Sequence, residues 1–478
     1  MTAVLPGTRE RRLLIGGDWV ETESWIDVVS PYSGAVVGRV ASAGAAHARA
    51  AVDAGEAAMR TPLPAFERAA ILDRIAAALA ARRDDAARII CDEAGKPLKT
   101  ARVEAERAVS TYTFAAVEAR RLAGDVVPME AAAAGAGKLG FTLRVPIGVV
   151  GAISPFNFPL NLVAHKLAPS LAAGCAVVLK PAAKTPLSAY FLAELSEEAG
   201  LPAGWLNVLT GPAREIGDVL VADERVAAIS FTGSAPVGWE LRERAPRKHV
   251  ALELGNATPV IVAADADLER ASSAVAANAF SFAGQSCISI QRVYVERPAY
   301  DEFVRLLVPK VEALRVGDPA DESTDVGPVI DEANRARIVD WIERSGGRVL
   351  TGGELTADGL IRPTVVADAA PSSELSCDEV FGPVCILQAY DTLDEAIAFA
   401  NGTRYGLQAG IFTRDLGAAL HAAASLEFGG VTVNEAPTFR ADQMPYGGVK
   451  DSGNTREGPH YTVRELTVER LVVVDARR

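Results

Sequence analysis

The chain has 478 residues, 49% of them hydrophobic and 23% charged, an ordinary globular composition that excludes a disordered or collagen-like chain. That length suits two or three domains with large cores and excludes a disulfide-stapled miniprotein. Lys and Arg number 48 against 61 Asp and Glu, a net charge of −13 that repels a phosphate backbone, so no nucleic acid partner is expected.

The first residues, MTAVLPGTRERRLLIGGDWV, lack an apolar core with a small-residue cleavage site, and a cytoplasmic location is expected. Ala65–Arg83 and Pro97–Leu122 carry apolar residues at threes and fours with few breakers, which predicts packed helices. The Ala/Gly patch Ala131–Lys138 reads as a connector, and Gly140–Val145 (GFTLRV) as one arm of a projecting hairpin. From Pro146 the pattern becomes strand and helix in alternation: Gly148–Ser154 a buried strand, Leu160–Ala173 a helix closed by Gly174, and Cys175–Lys180 the next strand. Thr185 is predicted to cap a helix with Pro186 at its first position, running to Gly200. LNVLTG, AAISFTG and HVALEL supply further strands, with Ala235–Arg244 helical between the last two. This alternation predicts an α/β fold with a parallel sheet of nucleotide-binding type.

A second α/β pattern follows a boundary placed near Gly255. Leu268–Phe282, Tyr300–Val311 and Leu393–Asn401 read as helices, and Ser289–Glu296, Val384–Ala389 and Gly430–Val433 as strands. Leu466–Val474 reads as a lone strand needing a sheet edge, which is expected on a partner subunit. No apolar run approaches the ~20 residues of a membrane-spanning helix. The five cysteines form an odd, scattered set without CxxC, and the histidines show no ligand spacing, so neither a disulfide framework nor a metal site is expected.

In FAGQSCIS, Cys287 follows a helical run beside Gly284 and small hydroxyl residues that leave its sulfur accessible. A thiolate is a strong nucleophile near neutral pH, although an isolated cysteine is more often buried and inert. Glu253 ends the run HVALELGN at the carboxyl edge of a predicted parallel strand, where open α/β sheets bind ligands; it reads as a general base or as a salt-bridged strand end. PFNFP places Asn157 on a loop after a buried strand. FTGSAPVG (Phe231–Gly238) is a strand, turn and helix able to aim backbone N–H groups at a phosphate. Together these residues make a covalent acyl-transfer site beside a nucleotide-type sheet. His165 and His249 fall within a helix and at a strand start and are not expected to act chemically.

The segments SPFNFP (Ser154–Pro159), LKPA (Leu179–Ala182), FTGS (Phe231–Ser234), LELG (Leu252–Gly255), GQSC (Gly284–Cys287), EVFGP (Glu379–Pro383) and PYGGVKDSG (Pro445–Gly453) resemble the aldehyde dehydrogenase superfamily in order and along nearly the whole chain. The resemblance implies residues 1–123 and 147–255 as a Rossmann-type dinucleotide-binding domain, 256–455 as an α/β catalytic domain, and 124–146 and 456–478 as oligomerisation segments of a homo-dimer or tetramer. It implies Cys287 as nucleophile, Asn157 as oxyanion donor, Glu253 as base and Lys166 beside the catalytic carboxylates. NAD or NADP would lie along Ser154, Pro155, Phe156, Lys180, Ala182, Ala183, Lys184, Gly233, Ser234, Leu254, Glu379 and Phe381.

Two departures stand out: Asn256 replaces a usual glycine, expected to change only local backbone freedom, and Ala183 replaces a frequent glutamate, which with Lys180 and Lys184 favours NADP. Arg107, Arg292 and Arg440, with Phe158, are expected to bind an anionic or hydroxylated small aldehyde of the semialdehyde, lactaldehyde or phosphonoacetaldehyde type. Phe158 and Phe439 would instead suit an apolar aldehyde. A CoA-acylating semialdehyde dehydrogenase would not need Glu253, and a catalytically silent member would need none of Asn157, Glu253, Cys287 and Glu379.

Overall fold

Short apolar, β-branched runs become the buried centres of two parallel sheets in a computed structural model that describes residues 4–475. Residues 1–3 and 476–478, the outer ends of the first and last predicted segments, lie outside the described residues. The first sheet runs in the order His249–Glu253, Val226–Thr232, Val149–Ile153, Val177–Lys180, Leu206–Val208, Leu13–Ile15 and Asp18–Val20. Its first five strands are parallel, and the last two, joined by a turn, are antiparallel. Helices cover both faces, and every residue of Asn161–Ala173 is buried, which is why these strands read as continuous apolar runs. The chain starts this parallel set in the middle, at Val149–Ile153, and then builds outward in both directions. That reversal puts a crevice at the carboxyl ends of Val149–Ile153 and Val226–Thr232.

The second sheet is ordered Arg348–Thr351, Thr364–Ala367, Val384–Tyr390, Ile290–Glu296, Thr258–Val262, Gln408–Phe412 and Gly430–Val433, parallel except at Arg348–Thr351. A small sheet of Val4–Arg11, Val36–Ala41 and Trp25–Val29 precedes it in sequence and carried no predicted elements.

Three expectations about elements are corrected. Thr467–Asp475, expected to be a lone strand, pairs along one edge with its own chain's Lys138–Pro146, antiparallel from Thr467 opposite Pro146 to Asp475 opposite Lys138. The short helix Pro459–Glu465 turns the chain back onto that hairpin arm, whose other edge takes Val126–Val127. Thr185 does not cap the helix Leu187–Glu198; its hydroxyl donates to the Phe156 carbonyl (3.2 Å), and the first-turn N–H groups of Leu187 and Ser188 donate to the buried Glu93 carboxylate at 2.6 and 2.9 Å. The predicted helix Leu268–Phe282 stops at Ala279, because Phe282 and Ala283 adopt positive φ (50° and 52°). Among the described residues no helix is long and apolar enough to cross a membrane, and no cluster of His, Cys, Asp and Glu has the arrangement of a metal site.

Candidate active site

A cavity of about 390 Å³ opens at the crevice between the two large sheets. Its walls gather Pro155, Phe156, Asn157, Ala182, Gly233, Ser234, Glu253, Leu254, Cys287, Glu379 and Phe381 from the sequence reading, together with Thr232, Gly255, Asn334 and Arg337, which carried no expectation.

The nucleophile loop is shaped by backbone. Phe282, Ala283 and Gly284 run left-handed, and a Cβ on Gly284 would lie 2.0 Å from the Gly382 carbonyl oxygen, so only glycine lets this loop pack on the EVFGP segment. Gln285 pins the turn: its amide donates to the carbonyls of Phe282 and Pro328 (3.2 Å each), and its oxygen accepts the Ile330 N–H (2.8 Å). The Gln285 carbonyl accepts one hydrogen of the Asn157 amide at 3.0 Å, tying that side chain to the loop two residues before Cys287. An amide nitrogen carries two hydrogens, so the second remains to serve a ligand. Cys287 is half-buried, and its sulfur lies 2.9 Å from the Tyr446 hydroxyl. Burial pushes its thiol up to about 12 against the opposing pull of that hydrogen bond.

Asn157 is held from behind by a buried ion pair. Glu104 accepts the N–H groups of Leu160 and Asn161 (2.9 and 3.1 Å) with one oxygen and pairs with Lys96 through the other. The Lys96 ammonium lies 3.7 Å from the Phe158 ring centroid and 4.4 Å from that of Phe282, so one cation joins the Asn157 loop to the Cys287 loop. Phe158 therefore packs on Lys96.

Glu253 ends its strand with 4% exposure and neither carboxylate oxygen hydrogen-bonded. Burial and then the nearby Glu457 raise its pKa well above the ordinary carboxylate value, against Arg440, Lys166 and Arg456. Glu457 is the opposite case: burial pushes it up, but Arg440, Lys166 and His165 outweigh that and hold it at about 2. Lys166 does not line the cleft. Its ammonium donates to Ser230 and Thr232 hydroxyls (3.0 and 2.7 Å) and sits 3.8 Å from Glu457, beside a second, smaller cavity on the far side of Glu253.

On the dinucleotide side, Glu379 accepts the Asn256 N–H at 3.0 Å, and burial pushes its carboxyl up to about 7. A Cβ on Gly255 would come 2.4 Å from that carboxylate and would displace it. Phe381, left-handed at φ 50°, sets its ring edge-on to Phe156 with centroids 5.8 Å apart. Asn256 does more than change backbone freedom: its amide donates to the Thr258 hydroxyl and the Gln408 carbonyl (2.8 and 3.1 Å), and its oxygen accepts the Leu407 N–H (3.3 Å). A side chain that can reach these buried groups replaces flexibility with cross-links. Among the described residues, buried Lys180 has only the Pro181 carbonyl as hydrogen-bond partner (3.2 Å), and the buried Ser154 hydroxyl has none. Ala183 and Lys184 are exposed, and Lys184 pairs with Asp331.

The three arginines separate. Arg292, 1% exposed, donates to the carbonyls of Ala257, Phe399 and Ala400 (2.9, 3.2 and 3.0 Å) and is therefore no substrate ligand; it satisfies the last carbonyls of the helix Leu393–Asn401. Arg440 pairs with Glu457 (2.8 Å) and stacks 3.8 Å over the Tyr446 ring, next to Cys287. Arg107 pairs with Asp442 (2.8 Å), which also contacts His165 (3.0 Å) and receives a hydrogen bond from Asn161 (3.2 Å). The Nε atoms of Arg107 and Arg440 are buried without partners. Tyr446, Glu457 and Arg337 went unmarked in the sequence reading. Tyr446 and Glu457 sit in and just after PYGGVKDSG, where an isolated antiparallel backbone bridge (Tyr446 opposite Glu457) brings them together, and no motif marks Arg337.

The profile of the aldehyde dehydrogenase family matches residues 19–472. A 3-sulfolactaldehyde dehydrogenase from Priestia aryabhattai is 42% identical over 475 residues, covering 98% of this chain and 99% of that protein. The crystal structure of aldehyde dehydrogenase 21 from Physcomitrella patens, in complex with the reaction product succinate, superposes with a TM-score of 0.94 at 38% identity, covering 98% of this chain and 99% of that one. That of glyceraldehyde-3-phosphate dehydrogenase from Methanocaldococcus jannaschii, complexed with NADP, superposes with a TM-score of 0.91 at 39% identity, covering 95% and 100%.

Proposed function

The chain belongs to the aldehyde dehydrogenase family, an NAD(P)-dependent oxidoreductase acting on an aldehyde, and from that premise we propose that it oxidises a small anionic aldehyde to its carboxylic acid through a thioester on Cys287. The observation that carries the covalent reading is the meeting of Cys287, Asn157 and Glu253 on one cleft wall. The Cys287 sulfur attacks the carbonyl carbon, and the free Asn157 amide hydrogen and the Cys287 backbone N–H receive the oxyanion. The bound nicotinamide supplies the hydride acceptor. Glu253, whose carboxylate has no hydrogen bond to satisfy it, takes a proton from the water that cleaves the thioester. That base favours hydrolysis over transfer to CoA.

The residues fit a dinucleotide. Lys180 is buried without a carboxylate partner, the Ser154 hydroxyl is unpartnered, Gly233 and Ser234 begin the helix Ala235–Arg244, and Glu379 sits deep in the cleft. Ala183 and the buried Lys180 support acceptance of NADP at least as readily as NAD, while Lys184 contributes less than its charge suggests because Asp331 neutralises it. Ala183→Glu should then shift the kcat/KM ratio toward NAD.

For the substrate, the support is the pair of unpartnered Nε donors on Arg107 and Arg440. The relatives named above are called a sulfolactaldehyde dehydrogenase, an enzyme releasing succinate and a glyceraldehyde-3-phosphate dehydrogenase, whose substrates or product carry a sulfonate, carboxylates and a phosphate. Guanidinium forks match such oxyanions. Comparing kcat/KM for anionic and neutral aldehydes of equal length tests this; Arg440→Ala and Arg107→Gln should each remove the preference for the anion, and a neutral preference untouched by both would refute it. We further assign residues 1–123 and 147–255 to dinucleotide binding, 256–455 to catalysis, and 124–146 with 456–478 to oligomerisation. The exposed edge strand Thr467–Asp475, with Val468 and Leu471 about half exposed, supports a homo-oligomer. Five unpaired cysteines suit a reducing, cytoplasmic setting.

A further inference from the structure

We propose that Tyr446 is a catalytic residue, whose hydroxyl donates a hydrogen bond to the Cys287 sulfur and stabilises the thiolate, with Arg440 stacked on its ring to strengthen that donor. The proposal rests on Cys287 as the nucleophile and adds what activates it. The two atoms are 2.9 Å apart, and the sulfur is the only hydrogen-bond partner of that hydroxyl among the described residues. While the thiol keeps its proton either atom can donate; once the proton leaves to water in the cleft, only the phenol can, and Tyr446 keeps its own hydrogen throughout.

The phenol is fixed in this pose. Tyr446 is 2% exposed, packs with Ile288 and Leu407, and its backbone bridges Glu457 in both directions (3.0 and 2.6 Å). The guanidinium of Arg440, 3.8 Å from the ring centroid, is itself anchored by Glu457. A cation over the ring draws electron density from the oxygen and makes the O–H a better donor. The charges facing the sulfur are otherwise divided: Glu379 and Glu253 disfavour the thiolate and Arg440 favours it, so the hydrogen bond from Tyr446 is the largest single contribution opposing burial. Among the described residues no lysine or histidine touches the sulfur, so the ordinary cationic contact of an activated cysteine is not built here. When the sulfur bonds to the aldehyde carbon its charge is gone and this hydrogen bond weakens, so the phenol raises the fraction of thiolate and lowers the nucleophilicity of each thiolate by a smaller factor. Tyr446 therefore sets the resting reactivity of Cys287.

The test is alkylation of the full-length enzyme by iodoacetamide across a pH series, with the site identified by peptide mass and the burst of reduced cofactor measured in parallel. Tyr446→Phe removes one oxygen and keeps the ring. It should slow alkylation of Cys287 about tenfold at mildly alkaline pH, the change that one hydrogen bond to a charged group supplies. The rate profile should move to higher pH, and the burst should slow in parallel while cofactor affinity is unchanged. Arg440→Met should move the profile in the same direction by less. An unchanged profile in Tyr446→Phe, with alkylation still abolishing oxidation, overturns the Tyr446 assignment alone. Oxidation surviving complete alkylation of Cys287 overturns the nucleophile on which it rests.

Discussion

Two side chains at the centre of the site are held away from their charged forms, and that sets the pH behaviour of the enzyme. Cys287 is pushed up to about 12 by burial, and Glu253 is raised by burial and by Glu457. A base works only when ionised, so thioester hydrolysis should rise with pH through the elevated Glu253 titration and fall as pH drops below it. In Glu253→Gln that ionisation should vanish from the hydrolysis rate while the burst of reduced cofactor persists; rapid-quench kinetics across pH measures both. Cys287, Glu253 and Asn157 were legible in the sequence because short motifs carry them. Arg292 was misread because proximity to Cys287 in sequence says nothing about which way a buried strand residue points, and here it points at the end of the helix Leu393–Asn401. Tyr446 was invisible as a partner of Cys287 because 159 residues separate them.

At the scale of elements, the site is held by junctions between loops. One is the fully buried Lys96–Glu104 pair, which ties the amino end of the helix Asn161–Ala173 to the rings of Phe158 and Phe282. Removing one partner of a buried pair leaves an uncompensated charge, at a cost of about 3–5 kcal/mol. Lys96→Met should therefore lower the thermal unfolding midpoint by several degrees, and at temperatures where the variant stays folded it should slow acylation more than it weakens cofactor binding. Calorimetry and burst kinetics on one preparation check this; an unchanged midpoint would contradict it. The helices and strands that were marked were readable from periodicity and, for Asn161–Ala173, from the glycine that follows it, whereas the helices Ala45–Met59 and Glu332–Glu343 and the strands Thr258–Val262 and Gln408–Phe412 were not marked. Their caps were not, since the Leu187–Glu198 helix takes its cap from Glu93, 94 residues away. Asn256 was likewise underestimated, because its hydrogen bonds reach Leu407 and Gln408 in a distant strand.

For the whole molecule, the tail was read correctly as a strand and incorrectly as a lone one, since its own chain supplies a neighbouring strand. Pairing of Thr467–Asp475 with Lys138–Pro146 closes the projecting arm on itself, yet leaves Leu471, Val473 and Val474 about half exposed along an edge to which no other strand pairs among the described residues. Removing the residues after Glu465 takes away that strand and exposes the edge of Lys138–Pro146, so the product should be monomeric or aggregating by light scattering; an unchanged oligomer would count against the oligomer assignment. Alternation of strand and helix announced two α/β units, but the order in which the first sheet's strands lie, and so the crevice, depends on tertiary crossovers that periodicity does not encode.

The central claim is that the acyl group of the aldehyde is carried on Cys287 and released by Glu253. Glu253→Gln enzyme mixed with NADP and an anionic aldehyde, quenched in acid after the burst and digested, tests it by mass spectrometry. The account predicts that the peptide containing Cys287 carries one acyl group in proportion to the cofactor reduced. A full burst with that peptide unmodified, or with the acyl group on another residue, would contradict it.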